Sequence, residues 1–425
     1  MKKVVFIILV FAGFSTSHLY GQWSTTNLSS ARFNIGIGSV DNKVFFAGSS
    51  PSTEAQVIDI YDLESKSWSS DELEVFRQFT FAEGIGDKMY FAGYTQTFSA
   101  DQDIIEVYDA PTETWSTLEM PGIFGATSLT AVDDILVLVK GGEVRMYNTT
   151  TGVWIERSLS VSRILALAVG CNGKVTFAGG GSFVQGLYDI VDIYDVASDT
   201  WSTGSLSAEK NGMEGVCLQN KVYYVGGALG FSGDSFLIEI YDTESDTWST
   251  MDMAQEKSNV GVAATANNLY IMGGRTGQSS ADFQTEVELI NGSTGERTID
   301  NLSIKRSSIS AFAVGNTVFA AGGFEPEESS YITTVDIFQE ILSGVEVLEK
   351  EDYSVYPNPV TTNLRISKNG VINSDEIVFE IYNRVGERIE SGVSQGRVEL
   401  SHVEQGVYFI KLVNRNNKLI KFVKI

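Results

Sequence analysis

Six basic residues recur at one fixed spacing along the chain, and together they have the chemistry of an anion site. Each lies sixteen residues before a glycine that ends an apolar segment, and a seventh equivalent position holds Gly125. Guanidinium and ammonium groups arranged in a ring hold carboxylates or sulfates. In the alternative interpretation the same cations pair with acids or carbonyl oxygens of nearby loops. The six are Arg32, Arg77, Arg163, Lys210, Lys257 and Arg306.

A second set of candidate binding residues is aromatic and lies in long segments between apolar strands. These segments span residues 94–103, 181–188, 228–236, 275–283 and 324–331. Long loops on a rigid scaffold commonly carry recognition, and aromatic rings stack on sugars or anchor peptides. Alternatively, each ring covers its own sheet. The candidates are Tyr94, Phe183, Phe231, Phe283 and Tyr331.

Histidine chemistry is excluded from most of the chain. The two histidines are His18 and His402, near opposite ends. Ser-His and Cys-His catalysis and the usual zinc sites therefore lack candidates between them, and we expect no metal and no cofactor. Acids are abundant, with 43 in residues 22–345. A carboxylate-pair glycosidase with its site at the mouth of a central channel thus remains an alternative.

The charge of the chain is strongly acidic in its central part. Residues 22–345 hold 17 basic against 43 acidic side chains, whereas the two signs balance from Glu346 onward. Because phosphate binding needs clustered Lys and Arg, this balance argues against nucleic acid or an anionic membrane as a partner.

The first residues have the pattern of a secretory signal. Lys2 and Lys3 precede the uncharged, mostly apolar run Val4–Phe14, and small and polar residues continue to Gly21. We therefore expect a signal peptide over residues 1–21 that is cleaved near Gln22. No later stretch is long and apolar enough to predict a transmembrane segment.

A repeat of about 47 residues supplies the elements that must position these side chains. Five Trp residues each follow a Tyr by seven positions, and an apolar strand ending in glycine precedes each Tyr. A two-residue turn rich in Asn, Asp and Gly separates the first two strands of every copy. Each copy therefore predicts four short antiparallel strands. The Trp residues are Trp68, Trp115, Trp154, Trp201 and Trp248.

This pattern resembles the Kelch repeat, whose hallmarks are a glycine pair, then Tyr, then Trp, with each copy forming one blade of a β-propeller. The resemblance covers about residues 22–339 and implies an all-β, seven-bladed propeller over residues 22–342. The orphan strand at residues 22–28, which carries Trp23, would complete a last blade at residues 307–339 that lacks its Trp. A basic residue at the cation position is common in such repeats, which favours the structural alternative for the six cations.

The alternation of connections divides such a propeller into two faces. The two-residue turns between first and second strands share one face with the short third-to-fourth turns. The other side, here named the long-loop face, carries the second-to-third loops and the crossings between blades. The six cations precede the innermost strands and are expected around the channel on that face.

The two cysteines lie at corresponding places in adjacent repeats. Cys171 is eight residues before its glycine pair and Cys217 is nine before its own, so their side chains point to opposite faces of their sheets. Facing blades meet in this way, and a disulfide is possible in an oxidising compartment. We expect instead two isolated buried thiols.

The chain changes character after residue 342. Residues 343–352 are predicted to be a charged linker, and residues 353–425 a small β-sandwich. This last part resembles the type A C-terminal sorting domain of the Bacteroidetes type IX secretion system, through Tyr356-Pro357-Asn358-Pro359 and Gly406-Val407-Tyr408. The resemblance implies export through the periplasm and contact with the secretion and sorting machinery. An ordinary small β-sandwich that binds a ligand would have the same strands.

These observations favour a recognition protein over an enzyme. We expect a secreted or surface-attached bacterial propeller that binds a glycan or an extracellular protein through its long-loop face. The alternative is a carbohydrate-active enzyme with its site at the channel mouth. It would be a sugar epimerase or mutarotase, since some sugar epimerases use Kelch propellers, or the glycosidase named above.

Overall fold

The computed structural model describes residues 20–48, 56–77, 79–94, 103–122, 125–230, 233–277, 279–327, 329–341, 353–368, 371–372, 376–383, 387–413 and 418–425. The chain divides into two compact units, one ending at Leu342 and the other beginning at Ser343. The predicted signal peptide, apart from Tyr20 and Gly21, and the predicted linker lie outside the described residues.

The first unit is all-β and includes a short 3₁₀ helix, Ser280–Asp282. Its strands in chain order are β1 (Tyr20–Asn27), β2 (Gly36–Val40), β3 (Lys43–Ala47), β4 (Val57–Asp62), β5 (Trp68–Glu72), β6 (Phe79–Ile85), β7 (Lys88–Tyr94), β8 (Ile104–Asp109), β9 (Thr114–Glu119), β10 (Ser128–Val132), β11 (Ile135–Lys140), β12 (Glu143–Asn148), β13 (Val153–Ser158), β14 (Leu167–Cys171), β15 (Lys174–Ala178), β16 (Gly181–Ser182), β17 (Gly186–Leu187), β18 (Ile190–Asp195), β19 (Thr200–Ser205), β20 (Glu214–Leu218), β21 (Lys221–Val225), β22 (Leu237–Asp242), β23 (Thr247–Asp252), β24 (Gly261–Ala264), β25 (Asn268–Met272), β26 (Glu286–Asn291), β27 (Arg297–Asn301), β28 (Ser310–Val314), β29 (Thr317–Ala321), β30 (Phe324–Glu325), β31 (Ser330–Tyr331) and β32 (Thr334–Ile341).

The pairs β16-β17 and β30-β31 form two-stranded hairpins, and the other strands form antiparallel four-stranded sheets, numbered here along the chain. Sheet 1 is β2-β3-β4-β5, sheet 2 is β6-β7-β8-β9 and sheet 3 is β10-β11-β12-β13. Sheet 4 is β14-β15-β18-β19, sheet 5 is β20-β21-β22-β23 and sheet 6 is β24-β25-β26-β27. Sheet 7 is β28-β29-β32 with β1 as its outer strand, so that Trp23 lies opposite Phe338.

The sheets pack face to face in a closed cycle. The first strands β2, β6, β10, β14, β20, β24 and β28 each contact the next, and β28 contacts β2. A separate apolar cluster fills the space between every two consecutive sheets, and the cluster between sheets 7 and 1 includes Phe319, Val335, Val44 and Phe46. Because one sheet cannot bury both faces alone, the neighbouring sheets supply the core, as in a propeller.

Local chemistry explains the strand boundaries. The turn residues Asp41, Asp133 and Asn172 adopt φ of 50°, 52° and 49°, a conformation that Asn, Asp and Gly tolerate and two-residue hairpins require. In sheets 1 to 5 a Tyr of the third strand faces a Trp of the fourth strand, as Tyr194 faces Trp201 with ring centroids 5.0 Å apart. The repeated Tyr and Trp therefore have a packing role: the half-buried Trp rings lie against the apolar clusters between the sheets.

The crossings between sheets and the long loops lie on the same face. Ile164 bridges Gly181, Asn211 bridges Ala228, and Ser258 bridges Arg275. In each case a residue just before a first strand pairs with one just after a second strand.

Cys171 and Cys217 form a disulfide between β14 and β20, with Cα atoms 5.4 Å apart. The expectation of two isolated thiols was wrong. Their offset of one position aims the side chains at each other across the interface between sheets 4 and 5, where they lie among the apolar residues of that cluster.

The second unit contains two antiparallel sheets with a shared core. Its strands are β33 (Tyr353–Tyr356), β34 (Asn363–Lys368), β35 (Val371–Ile372), β36 (Ile377–Asn383), β37 (Arg388–Ser394), β38 (Arg397–Glu399), β39 (Gly406–Leu412) and β40 (Lys418–Lys424). One sheet joins β33, β34, β35 and β38, and the other has the order β37-β36-β39-β40. Leu364 and Ile366 of the first sheet pack with Ile381, Ile410 and other apolar residues of the second.

Candidate functional site

The six predicted ring cations are buried and paired with carboxylates inside the fold. Their side chains are at most 2% exposed. Arg163 Nη1 lies 2.7 Å from Asp192 Oδ2, Lys257 Nζ lies 3.0 Å from Glu286 Oε1, and Arg306 Nη2 lies 2.8 Å from Asp336 Oδ2. The remaining pairs are Arg32 with Asp59, Arg77 with Glu106, and Lys210 with Glu239. In this arrangement the cations do not face a ligand.

Each ion pair also fastens a crossing between two sheets. The buried acid on the third strand accepts the backbone N–H of the residue three positions before the cation, as Asp192 does from Ser160 at 3.1 Å. Arg163 in turn donates to the carbonyl oxygens of Gly179 and Phe177 at 2.7 and 2.9 Å. Sheet 6 uses two acids for these two contacts. Lys257 pairs with Glu286, whereas Glu288 accepts the backbone N–H of Ala254 and forms an ion pair with Arg297. The contacts fit the structural alternative.

The sequence contains a signal for this pairing that the spacing of the cations alone does not give. An acid stands two residues before the repeated Tyr, or its equivalent, in the six copies that have the cation. In the third copy the cation is replaced by Gly125 and the acid by Arg145. Cation and acid are lost together, as expected if each is needed only to compensate the other.

The candidate aromatic residues divide into packed rings and one free ring. Tyr94 stacks on Phe79 with centroids 4.7 Å apart, and Tyr331 stacks on Phe33 at 4.2 Å. Phe283 lies 6.0 Å from Phe324. Phe183 is 97% exposed at the tip of the β16–β17 hairpin. Phe231 lies outside the described residues.

An apolar surface surrounds Phe183 on the long-loop face. Val184 next to it is 92% exposed, and Ile164 and Leu165 of the nearby crossing are 37% and 44% exposed. A cavity of about 500 Å³ opens between the hairpin and the next long loop, lined by Ile164, Phe183, Leu187, Glu209, Asn211 and Leu229 among others. A ring so exposed contributes nothing to the core, and its exposure costs solvation free energy unless a partner covers it.

The first strands enclose a central space, the channel, and two of them carry carboxylates that the sequence did not single out. Glu214 begins β20 and Glu83 lies on β6. A cavity of about 300 Å³ is lined by residues of β2, β6, β10, β20 and β28, including Glu214, and therefore lies on the common axis of the sheets. A second cavity of about 110 Å³ shares Asn34, Glu214 and Ile309 with it.

Enclosure changes the acidity of both groups. Removal from bulk water raises the pKa of Glu83 to about 7, although a hydrogen bond from the backbone N–H of Ala131 works in the opposite direction. Glu214 is exposed, but only to the water of a narrow channel, and this enclosure raises its pKa to about 7. The Glu214 side chain makes no hydrogen bond or ion pair within the described residues. Both carboxylates are therefore close to half-ionised near neutral pH.

Two further properties concern cofactors and membranes. Within the described ranges, no three His, Cys, Asp or Glu side chains come together in a way that would hold a metal ion. The same residues contain no helix with the length and apolar character needed to cross a bilayer.

In the second unit the sorting-motif residues tie the start of the unit to its last strand. Asn358 Nδ2 donates to the carbonyl oxygen of Lys421 at 3.2 Å, and the Val423 N–H donates to Asn358 Oδ1 at 2.9 Å. Tyr408 is 8% exposed, stacks on Phe422 at 5.8 Å, and donates its hydroxyl to the Glu404 carbonyl at 3.0 Å. A Cβ at Gly406 would come within 3.2 Å of the Tyr408 ring. Tyr356, Pro357 and Pro359 flank Asn358 in the same segment.

Comparison with known proteins assigns this second unit. Residues 354–425 match the family described as secretion system C-terminal sorting domain. The protein is therefore secreted or displayed at the cell surface through the type IX system, and its C-terminal part interacts with the secretion machinery. Among solved structures, one titled "Structure of YjhT" is similar at 12% identity, with a TM-score of 0.48, over 73% of this chain and 96% of that chain. A similarity at this level carries no functional argument. No curated protein matches the chain.

Proposed function

We propose that the first unit is a seven-bladed propeller of Kelch type that recognises a glycan or an extracellular protein through its long-loop face. The second unit, a β-sandwich, delivers it to the outside of a bacterium of the Bacteroidetes type. The observation that carries the proposal is the surface around Phe183, where an almost fully exposed aromatic ring stands beside a cavity of about 500 Å³.

The contrast between the two faces of the propeller supports this assignment. On the opposite face the connections are two-residue turns and short third-to-fourth turns. Side chains of the turn stabilise the latter, as where Asp195 accepts from the Ser198 N–H at 2.9 Å. The long-loop face instead presents apolar side chains that no core requires. Exposed aromatic anchors beside a pocket are characteristic of recognition surfaces.

The six cations take a different role in this proposal. They hold the crossings that support the long loops and are not ligands themselves. Charged groups that are at most 2% exposed cannot reach a ligand without breaking their ion pairs.

A glycan array and capture from surface extracts test the proposal with three forms of the protein. Phe183→Ala is expected to reduce binding at least tenfold, the loss typical of an aromatic anchor. Val153→Ala is the matched control, since Val153 is 53% exposed and lies at the turn into β13, on the opposite face. Unchanged binding by Phe183→Ala, or an equal loss in the control, would remove the Phe183 surface from the proposal.

The two channel carboxylates favour a second candidate, a carbohydrate-active enzyme with its site at the channel mouth. A carboxyl group with a pKa near 7 is suited to act as a general acid, and Glu83 and Glu214 both have this property. Turnover of a panel of glycosides and of sugar epimers or anomers, abolished by Glu214→Gln, would support the enzyme. Binding without turnover across the panel would favour recognition alone.

A further inference from the structure

The charge inside the channel is opposite to the one that the spacing of the cations predicted. The cations are withdrawn into ion pairs, and the described residues that line the cavity of about 300 Å³ include no Lys or Arg. Lys257 lines the adjoining cavity of about 110 Å³, but its ammonium group is paired with Glu286 at 3.0 Å. The acidic side chain of Glu214 lines that cavity, and Glu83 directly follows its lining residues Phe79–Ala82. The channel mouth therefore favours a ligand that carries a positively charged group.

The two carboxylates stand at different depths. Glu214 is twelve residues before its glycine, whereas Glu83 is ten residues before Gly93. Since the first strands run from the long-loop face inward, Glu83 lies two residues deeper, roughly 7 Å at the rise of a β-strand. Sheets 2 and 5 are separated by two sheets on one side of the cycle and three on the other, so the carboxylates come from nearly opposite walls. A cation that enters from the long-loop face meets Glu214 first.

Size and lining point to a small polar ligand. A volume of about 300 Å³ is at the low end of small-molecule sites and is too small to accept a folded protein surface. Phe79 and Phe81 add aromatic character, while Asn34, Thr80 and the edges of the first strands offer hydrogen-bonding groups. A sugar ring has both an apolar face and hydroxyl groups, and it matches this mixture.

We propose that the channel mouth binds an amino sugar through its free, protonated amine, which pairs with Glu214 while the ring lies in the cavity lined by Phe79, Phe81 and Asn34. This inference goes beyond the proposed function, because it assigns a second site in the channel that shares no lining residue with the cavity beside Phe183. The cation compensates a carboxylate that the channel keeps from bulk water and that has no partner of its own among the described residues. The elevated pKa of Glu214 has the same origin, since enclosure disfavours the isolated charge.

Calorimetric titration of the mature full-length protein with glucosamine and with N-acetylglucosamine tests the inference directly. The two sugars share a ring, and only the first carries a positive charge. Glucosamine is expected to bind at least tenfold more tightly, the difference typical of one charge-assisted hydrogen bond. Equal affinities, or no detectable binding of glucosamine at millimolar concentration, would overturn the proposal.

Two substitutions locate the site. Glu214→Gln keeps the shape and removes the charge, and should weaken glucosamine binding at least tenfold. Glu296→Gln is the matched control, because Glu296 is exposed in the turn between β26 and β27 on the opposite face. It should change the affinity by less than twofold. Wild-type affinity in Glu214→Gln would contradict the assignment.

A lysine analogue separates the sugar from a peptide. Nα-acetyl-lysine amide carries the same ammonium group on an aliphatic chain, and tighter binding of this compound than of glucosamine would overturn the sugar assignment. Glycan or protein binding through the Phe183 surface is measured independently and does not require Glu214. If that binding persists while the amine selectivity fails, only the present inference falls.

Discussion

Arg163 and Asp192 form a buried ion pair, 2.7 Å apart, that connects the crossing into sheet 4 with the third strand of the same sheet. Asp192 accepts the Ser160 N–H as well, and Arg163 donates to two backbone carbonyls. The pair is 2% exposed or less on both sides. Sheets 1, 2, 5 and 7 repeat this association of cation, acid and crossing, and sheet 6 uses two acids for the same two contacts, so the arrangement belongs to the architecture of the repeat.

Arg163→Met is expected to lower the free energy of unfolding by about 3–5 kcal/mol, because it leaves the Asp192 carboxylate buried without its cation. Urea denaturation followed by tryptophan fluorescence measures the free energy of unfolding of the first unit, because all six Trp residues lie between positions 23 and 248. Arg157→Met is the control, since Arg157 pairs with Asp199 at 2.7 Å on the surface, and an exposed pair contributes about 0–1 kcal/mol.

The double variant Arg163→Met with Asp192→Leu distinguishes an unpaired charge from lost packing. It should recover most of the stability that the single variant loses, because hydrophobic replacement of a whole buried pair is often neutral. A double variant as unstable as Arg163→Met would show that the backbone hydrogen bonds, and not the charge pairing, dominate.

The sequence predicted the periodic elements well because they depend on local chemistry. The spacing from Tyr to Trp and the turn residues such as Asp41 and Asn172 determine strand and hairpin positions one repeat at a time. The side chains of the six cations were harder to place, since their burial depends on an acid that arrives from another strand. Arg32 and Asp59 are 27 residues apart in the chain and meet only in the folded sheet.

The channel carboxylates show a different limit of the sequence. Glu83 and Glu214 occupy different positions in their repeats, so no periodicity distinguishes them from the other acids of the domain. Their significance comes from enclosure between the first strands, a consequence of the closed cycle of sheets. The cysteines are an intermediate case. The sequence predicted that Cys171 and Cys217 lie in adjacent sheets with side chains pointing to opposite faces of those sheets. It did not predict the covalent bond, which requires the Cα separation of 5.4 Å found in the fold.

Loss of the disulfide is expected to destabilise the first unit. Cys171→Ala together with Cys217→Ala opens a loop of 46 residues, for which chain entropy predicts a loss of about 2–4 kcal/mol in the free energy of unfolding. The same denaturation experiment, run with and without reductant on the wild type, should reproduce the difference. Thiol titration of the denatured, unreduced protein should find no free thiol, whereas two free groups would contradict the bond.

The channel carboxylates predict an unusual dependence of stability on pH. The pKa of Glu83 and Glu214 rises from about 4.5 to about 7 on folding, so the folded protein holds their protons more tightly than the unfolded chain. Their contribution to stability is therefore greatest below about pH 4.5, falls as the pH rises to about 7, and is constant above. Relative to wild type, Glu83→Gln with Glu214→Gln should gain stability between pH 5 and pH 8.

Asp62→Asn provides a control of opposite sign. Hydrogen bonds from the Ser65 N–H and hydroxyl lower the pKa of Asp62, so the advantage of the wild-type residue is present above the ordinary value of 3.8 and is lost as the pH falls below it. The difference between this variant and the wild type should stay flat between pH 5 and pH 8. A flat profile for the channel variant as well would show that Glu83 and Glu214 are freely hydrated.

Export depends on the second unit, and the two units can be separated genetically because each has its own core. Deletion of residues 353–425 should leave the first unit folded in the periplasm, because the sorting domain that the type IX machinery recognises is absent. Fractionation with detection of the first unit measures its location, and the Cys171–Cys217 bond reports its folding in that compartment. Asn358→Ala is the matched point variant, since it removes the two hydrogen bonds that tie this segment to Lys421 and Val423 and should reduce export while the first unit stays intact. Surface display of the truncated protein at the wild-type level would show that the first unit carries its own export signal.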